Sequence, residues 1–249
     1  LDPGQPISLE ALDHRLSSQE YSTLLINAHE TSTGMIYDTK AIGERTRKYG
    51  VFFVVDAIST ICADIFMMDE WHVDVSLLSS QKALALPPGL SFLALNKKAK
   101  LRLETKTCQS YYFDIKAYLG NQERGQMPFT PVIGHFMMLH ERLREIRSHG
   151  IGFFVSHHSK LAEYFRKGLK DLPLSFLSNS PSNALTAISC PKDIDAFDLV
   201  TRLADDYNCF VAPNGGDLKY RVFRVSHLGE QNETDIDFLI NALEDILNN

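Results

Sequence analysis

Residues 51–57 (VFFVVDA) carry five consecutive apolar residues, β-branched or aromatic, before the carboxylate of Asp56. No polar residue alternates along the run. A strand built from it is therefore buried on both faces, as in the interior of a largely parallel sheet. Short apolar runs recur at residues 23–28 (TLLINA), 73–79 (VDVSLLS) and 90–96 (LSFLALN). Helical stretches alternate with them. Residues 8–16 (SLEALDHRL) open on a capping serine, and residues 38–50 (DTKAIGERTRKYG) open on Asp38 and close on basic residues and Gly50. This order predicts an α/β fold with a mostly parallel sheet covered on both faces.

After residue 130 the pattern changes. Residues 132–148 and 151–171 read as two long helices broken at Gly150. A strand at 184–190 (ALTAISC), a helix at 195–207, strands at 209–213 and 220–226 (YRVFRVS) and a closing helix from about 234 follow. The expected division is a large unit over residues 1–150 and a small C-terminal α+β domain over residues 151–249. The 249 residues suffice for two such cores, and a net charge of -6 without a basic run does not suit nucleic acid as the main partner. No apolar stretch approaches the roughly 18 residues of a membrane span. Cys62, Cys108, Cys190 and Cys209 lie far apart and match no metal-ligand spacing, which predicts reduced thiols in a cytoplasmic protein and no metal site. His157 and His158, in the second long helix, lack a partner at metal spacing and read as a surface or packing pair. The chain begins at Leu1 without a methionine, as a piece of a longer polypeptide would.

In open parallel sheets, ligands bind beyond the carboxyl ends of the strands. Three such ends carry polar groups: His29–Gly34 (HETSTG) after the first strand, Asp56 at the end of the second, and Gln81-Lys82 after the third. Asp56 reads either as a helix cap or as a carboxylate held for a cationic partner. Lys82 stands among Ala, Leu and Pro, where a buried ammonium loses hydration and its pKa falls; snorkelling to the surface is the alternative. An acid and a desolvated lysine at neighbouring strand ends together suit a pyridine cofactor, the acid on the ring nitrogen and the lysine as Schiff base.

The motifs HETSTG (29–34), VDAIST (55–60), SSQKALALPPGLSF (79–92), PFTP (128–131) and FRVSHLG (223–229) carry a resemblance in their order and spacing. The chain resembles the class V, fold-type I aminotransferases that use pyridoxal 5′-phosphate (PLP), and is most similar to those acting on alanine, serine or 2-aminoethylphosphonate with glyoxylate or pyruvate. The resemblance implies a partial PLP-binding large domain and a small C-terminal domain, in a homodimer. It implies that Lys82 forms the Schiff base and shuttles a proton, and that Asp56 keeps the pyridine nitrogen protonated. Ile58 would pack on a ring face, and Thr31 would lie near the ring hydroxyl. Gln81 and Ser59 would lie near the phosphate, and Thr130 would reach the phosphate of a neighbouring subunit. Arg224 would clamp the substrate carboxylate.

Two rival readings remain. Cysteine desulfurases share the fold, but they carry a histidine where Gln81 stands and need a mobile-loop cysteine. Cys190 and Cys209 border strands instead. The other rival is a fragment of such an enzyme without catalysis of its own. The family's phosphate-holding turn and stacking aromatic belong to a segment preceding Leu1, and Gly215-Gly216 reads as a turn in the small domain. Tyr111 and Tyr112 read as lining a substrate channel or packing on a helix edge.

Overall fold

The computed structural model describes residues 2–248. Helix α1 (Leu9–Ser17) begins at Ser8, whose hydroxyl accepts from the Ala11 amide, and leads into β1 (Thr23–Asn27). A two-stranded hairpin follows, β2 (His29–Glu30) with β3 (Met35–Ile36). Helix α2 (Thr39–Lys48) is capped by Asp38, as its sequence predicts. Strands β4 (Phe52–Asp56), β5 (Val75–Ser79) and β6 (Ser91–Leu95) complete the first sheet, in the order β1-β4-β5-β6. The first three strands are parallel and β6 is antiparallel, so the expected mostly parallel α/β sheet is present.

Phe53, Val55 and Ala57 of this sheet are fully buried and pack with Ile42 of α2 and Leu9 and Leu12 of α1. Burying a large apolar side chain of this kind contributes about 1.5–3 kcal/mol. The opposite face departs from the expected double covering. Leu25 of β1 is 70% exposed and Leu93 of β6 is 46% exposed. No element of residues 2–248 buries them, so one sheet face is open there.

Helices α3 (Lys97–Glu104) and α4 (Ile115–Gln122) lead to the long pair α5 (Ile133–His149) and α6 (Ile151–Gly168), which meet at Gly150. The second sheet contains β7 (Ser175–Phe176), β8 (Leu185–Ser189), β9 (Ala212–Pro213) and β10 (Val222–Ser226), in the order β7-β8-β10-β9 and antiparallel throughout. Helix α7 (Ala196–Tyr207) and helix α8 (Glu233–Asn248) pack on it with α6. Phe165, Ile188, Leu203, Phe223 and Leu243 form the centre of this second core. The strand expected at 209–213 is shorter, because Phe210 is exposed and only Ala212–Pro213 pairs with β10.

Candidate active site

Because β1, β4 and β5 are parallel, their carboxyl ends share one edge, where Asn27, Asp56 and Leu77 stand in register. Asp56 is half-buried, and its Oδ1 accepts the Ile58 amide at 2.9 Å. No other hydrogen bond engages its carboxylate among the described residues. One oxygen caps the turn that follows, and the other accepts no hydrogen bond among the described residues.

Lys82 lies in the turn after β5. The Ser80 hydroxyl braces this turn by donating to the Pro87 carbonyl at 2.7 Å and accepting the Leu90 amide at 3.2 Å. The neighbours Ala83 and Leu84 are buried, but Lys82 is only half-buried, between the desolvated and the snorkelling readings. The reason is local. Ala85 adopts φ 55 and its amide closes on the Lys82 carbonyl at 2.8 Å, a tight turn in which Ala83 and Leu84 are buried and Lys82 is not. Its ammonium has no hydrogen-bond or ion-pair partner among the described residues.

Sequence reasoning did not single out His29 as a site residue. It is 4% exposed, and the Ser59 backbone approaches its ring, short of a well-aligned hydrogen bond. Burial pushes its pKa down to about 4, opposed by the Ser59 backbone and Glu30 and reinforced by the charges of Lys82 and Arg166. The available signal was a histidine directly after a buried Ala28 at the end of an apolar strand.

The HETSTG turn connects β2 and β3, and the second sheet grips it at several points. Burial alone would raise the pKa of Glu30, but hydrogen bonds from Ser32 and Asn27 hold it low, and they fold the turn around its carboxylate. Arg224 of β10 donates through Nη1 to the Thr31 carbonyl at 3.3 Å and through Nη2 to the Pro213 carbonyl at 2.9 Å. Asn214 donates to the Ser32 carbonyl at 2.6 Å, and the Ser182 amide donates to the Gly34 carbonyl at 2.9 Å. Gly34 has φ +70, and a Cβ there would lie 3.1 Å from the Ala187 amide nitrogen, so only glycine fits this approach without strain. Thus Thr31 and Arg224, distant in sequence, meet in space. Arg224 has only carbonyl partners, no carboxylate, and a buried unpaired Nε.

Ser59 is buried beside His29, and Ile58 is half-buried. Gln81 and Thr130 are exposed, and no hydrogen bond among the described residues joins either of them to the group above. Tyr111 and Tyr112 belong to an aromatic cluster. Both are exposed, and both pack on Phe129, with ring centroids 5.4 Å and 4.9 Å away. Burial pushes the Cys190 thiol up to about 11 and raises that of Cys209, which opposes a thiolate nucleophile at either place. His158 is a packing residue, its Nδ1 donating to the Cys62 and Phe154 carbonyls.

Buried histidines make stability pH-dependent. Burial holds His29 down to about 4 and His227 down to about 3, so both are neutral in the folded chain near pH 7, as they are when unfolded. Below the unfolded value near 6.5, the unfolded chain takes up protons that the folded chain refuses. Stability must then fall as pH drops toward 4, by up to about 1.4 kcal/mol per pH unit for each histidine. Urea unfolding at pH 7.5 and pH 5 is expected to differ by roughly 2–4 kcal/mol, with a smaller difference in His227→Gln. A pH-independent midpoint over this range would refute the assignment.

The sequence profile of the aminotransferase class-V family matches residues 1–216. Among curated proteins, the small subunit of a soluble hydrogenase from Synechococcus sp. strain PCC 6716 is 31% identical, over 98% of this chain and 65% of its own length. Serine–glyoxylate aminotransferase of Arabidopsis thaliana is 33% identical, over 99% of this chain and 64% of its own length. The solved alanine–glyoxylate aminotransferase of Nostoc sp. superposes with a TM-score of 0.90 at 28% identity, covering 98% of this chain and 66% of that one. The chain thus spans 65% and 64% of the length of these two curated relatives. With the profile match covering most of its residues and a fold shared with a solved member, the chain belongs to the class-V aminotransferase family.

Proposed function

We propose that this chain carries the lysine-bearing part of a pyridoxal 5′-phosphate-dependent transaminase. The enzyme would move an amino group from a small donor (alanine, serine or 2-aminoethylphosphonate) to glyoxylate or pyruvate, as a homodimer. Residues 1–150 would be the C-terminal part of the cofactor-binding domain and residues 151–249 the small domain. One observation carries the reading: the neighbouring parallel strands β4 and β5 lead into Asp56, whose carboxylate keeps one oxygen without a hydrogen bond, and into the turn of Lys82, whose ammonium has no partner among the described residues.

This donor set fits the cofactor. A bound PLP supplies an aldehyde and a pyridine ring that withdraws electrons from the substrate's α-carbon. Lys82 would hold the aldehyde through its amine and, once released by the incoming donor, its Nζ would accept and return the substrate's α-proton. The free oxygen of Asp56 holds the proton on the ring nitrogen. Ile58 shields a ring face from water. Thr31 would lie near the ring hydroxyl, and Ser59 and Gln81 near the phosphate or its surroundings. Arg224, which lacks a carboxylate of its own, accepts that of the substrate.

The names of the glyoxylate aminotransferases among the relatives support small amino donors and glyoxylate as acceptor. The exposed aromatic surface around Thr130, with Tyr111 87% and Phe113 74% exposed, supports a second subunit there. No helix of the described residues is long and apolar enough to cross a membrane, and the four free cysteines support a reducing compartment, the cytoplasm.

Arg224→Ala in the PLP-loaded native polypeptide tests the substrate assignment. Removing one partner of a buried charged pair costs about 2–5 kcal/mol, so KM for alanine and pyruvate is expected to rise by about 30-fold or more. The visible absorbance of the cofactor should stay as in wild type. An unchanged KM for both substrates would refute the clamp.

A further inference from the structure

Arg166 of α6 lies behind the second sheet, and no ion pair engages its guanidinium among the described residues. All of its hydrogen bonds go to one short stretch of chain. Nε donates to the Thr186 hydroxyl at 3.0 Å, and Nη2 donates to the Leu185 carbonyl at 3.5 Å and, over a shorter distance, to the Ser182 carbonyl. Burial lowers its pKa, and Asp64 and Glu163 supply the nearest opposing charge.

The same stretch is held from the other half of the molecule. The Ser182 hydroxyl donates to Asp64 Oδ2 at 2.5 Å, and the Asn183 amide donates to Asp64 Oδ1 at 3.0 Å. Asp64 ends the turn that Asp56 begins, and it is 8% exposed. The Ser182 amide reaches the HETSTG turn at Gly34. Residues 182–186 are therefore the place where α6, the turn after Asp56 and the HETSTG turn converge.

The register carries this placement to the guanidinium of Arg224. Thr186 of β8 stands opposite Val225 of β10, and its neighbour Ala187 stands opposite Arg224. Beyond Thr186, the relay reaches His227 Nε2 at 2.9 Å, one residue past the end of β10. The Thr186 oxygen accepts from Arg166 Nε–H, which leaves its own proton to donate to His227. Burial keeps His227 neutral, so it can accept. Arg166 thus holds β8 directly, and reaches the chain just past β10 only through Thr186, beside the strand pair that carries Arg224 over Thr31.

We infer that Arg166 is a positioning residue for substrate-carboxylate recognition: its three-point grip on residues 182–186 fixes β8, and through it the Arg224 guanidinium, relative to the Thr31 turn. The inference rests on the reading of Arg224 as the carboxylate clamp. The fork geometry is essential to it. A lysine keeps the positive charge near Asp64, but its single ammonium head cannot hold Thr186, Leu185 and Ser182 from one rigid plane. A misplacement of about 1 Å at a binding group can cost about 10²-fold.

The test compares wild type, Arg166→Lys and Arg224→Gln in the PLP-loaded native polypeptide. The readout is the Kd of propionate, alanine's carboxylate without its amine, followed by the change in cofactor absorbance. PLP affinity and KM and kcat for alanine are measured beside it. Arg224→Gln is expected to weaken propionate by about 30-fold or more, and Arg166→Lys by about 10-fold. Arg166→Lys should raise KM similarly, with PLP affinity and kcat within about twofold of wild type. Wild-type propionate binding in Arg166→Lys alongside weakened binding in Arg224→Gln overturns the inference alone. An equal loss of PLP and propionate affinity in Arg166→Lys also overturns it, since that marks general loosening of the fold. Unchanged propionate binding in Arg224→Gln overturns the clamp, and this inference with it. If Arg166→Lys does not fold, Thr186→Val, which cuts the link between Arg166 and His227 without touching a charge, is judged by the same criteria with an expected loss of about threefold.

Discussion

Lys82→Ala, made in the native polypeptide and supplied with PLP, is expected to lose transamination by about 10³-fold or more. Two functions vanish with one side chain. The amine that binds the cofactor aldehyde is gone, and so is the base that moves the α-proton, a contribution typically of about 10²–10⁴-fold by itself. The rest of the site has no substitute. His29, whose charge state Lys82 influences, is held down to about 4 by burial. The fold should be unaffected, because Lys82 is half-buried and its ammonium makes no hydrogen bond or ion pair among the described residues. Turnover within tenfold of wild type would remove Lys82 from the role.

The second large effect concerns Asp56→Asn. The cap to Ile58 survives, since an amide oxygen also accepts the 2.9 Å hydrogen bond. What is lost is the negative charge that, on the proposed reading, would hold a proton on the ring nitrogen. Losing one preorganised electrostatic group at a reacting centre costs about 10²–10³-fold, and that is the expected fall in kcat, with much of the PLP binding retained. The substitution separates the two roles of this residue. Near-normal kcat would leave Asp56 as a turn cap only.

Much of this architecture was legible because its signals are local. Ser8, Asp38 and Asp195 each precede an amphipathic stretch, and each caps the helix that follows. The uninterrupted VFFVV run became an interior strand because nothing polar in it had to reach water. Helices α3 and α4 were overlooked. They are short and largely exposed, so no strong apolar stripe marks them, although Asn96 and Asp114 cap both. The Lys82 environment was only partly legible for a physical reason: composition says which residues are near in sequence, but not which of them the tight turn at Ala85 leaves buried.

Of the candidate site, the strand-end residues were readable one at a time and their association was not. No periodicity signals that Arg224 meets the Thr31 carbonyl across 193 residues of chain, or that Asn214 pins the adjacent Ser32 carbonyl. Those contacts depend on how the second sheet sits against the HETSTG turn, which no local signal encodes. Arg166 escaped notice for the same reason. On a helix it reads as an ordinary polar-face residue, and only the folded β8 gives its fork three acceptors.

The central claim is that Lys82 is the residue that binds PLP covalently. The most direct measurement is to incubate the native polypeptide with PLP, reduce with borohydride, digest, and locate the added cofactor mass by peptide sequencing. The account predicts one dominant modified peptide spanning residues 79–92, with the label on Lys82 and absent from Lys82→Ala. A label spread evenly over surface lysines, or concentrated on another lysine and unchanged in Lys82→Ala, would contradict it.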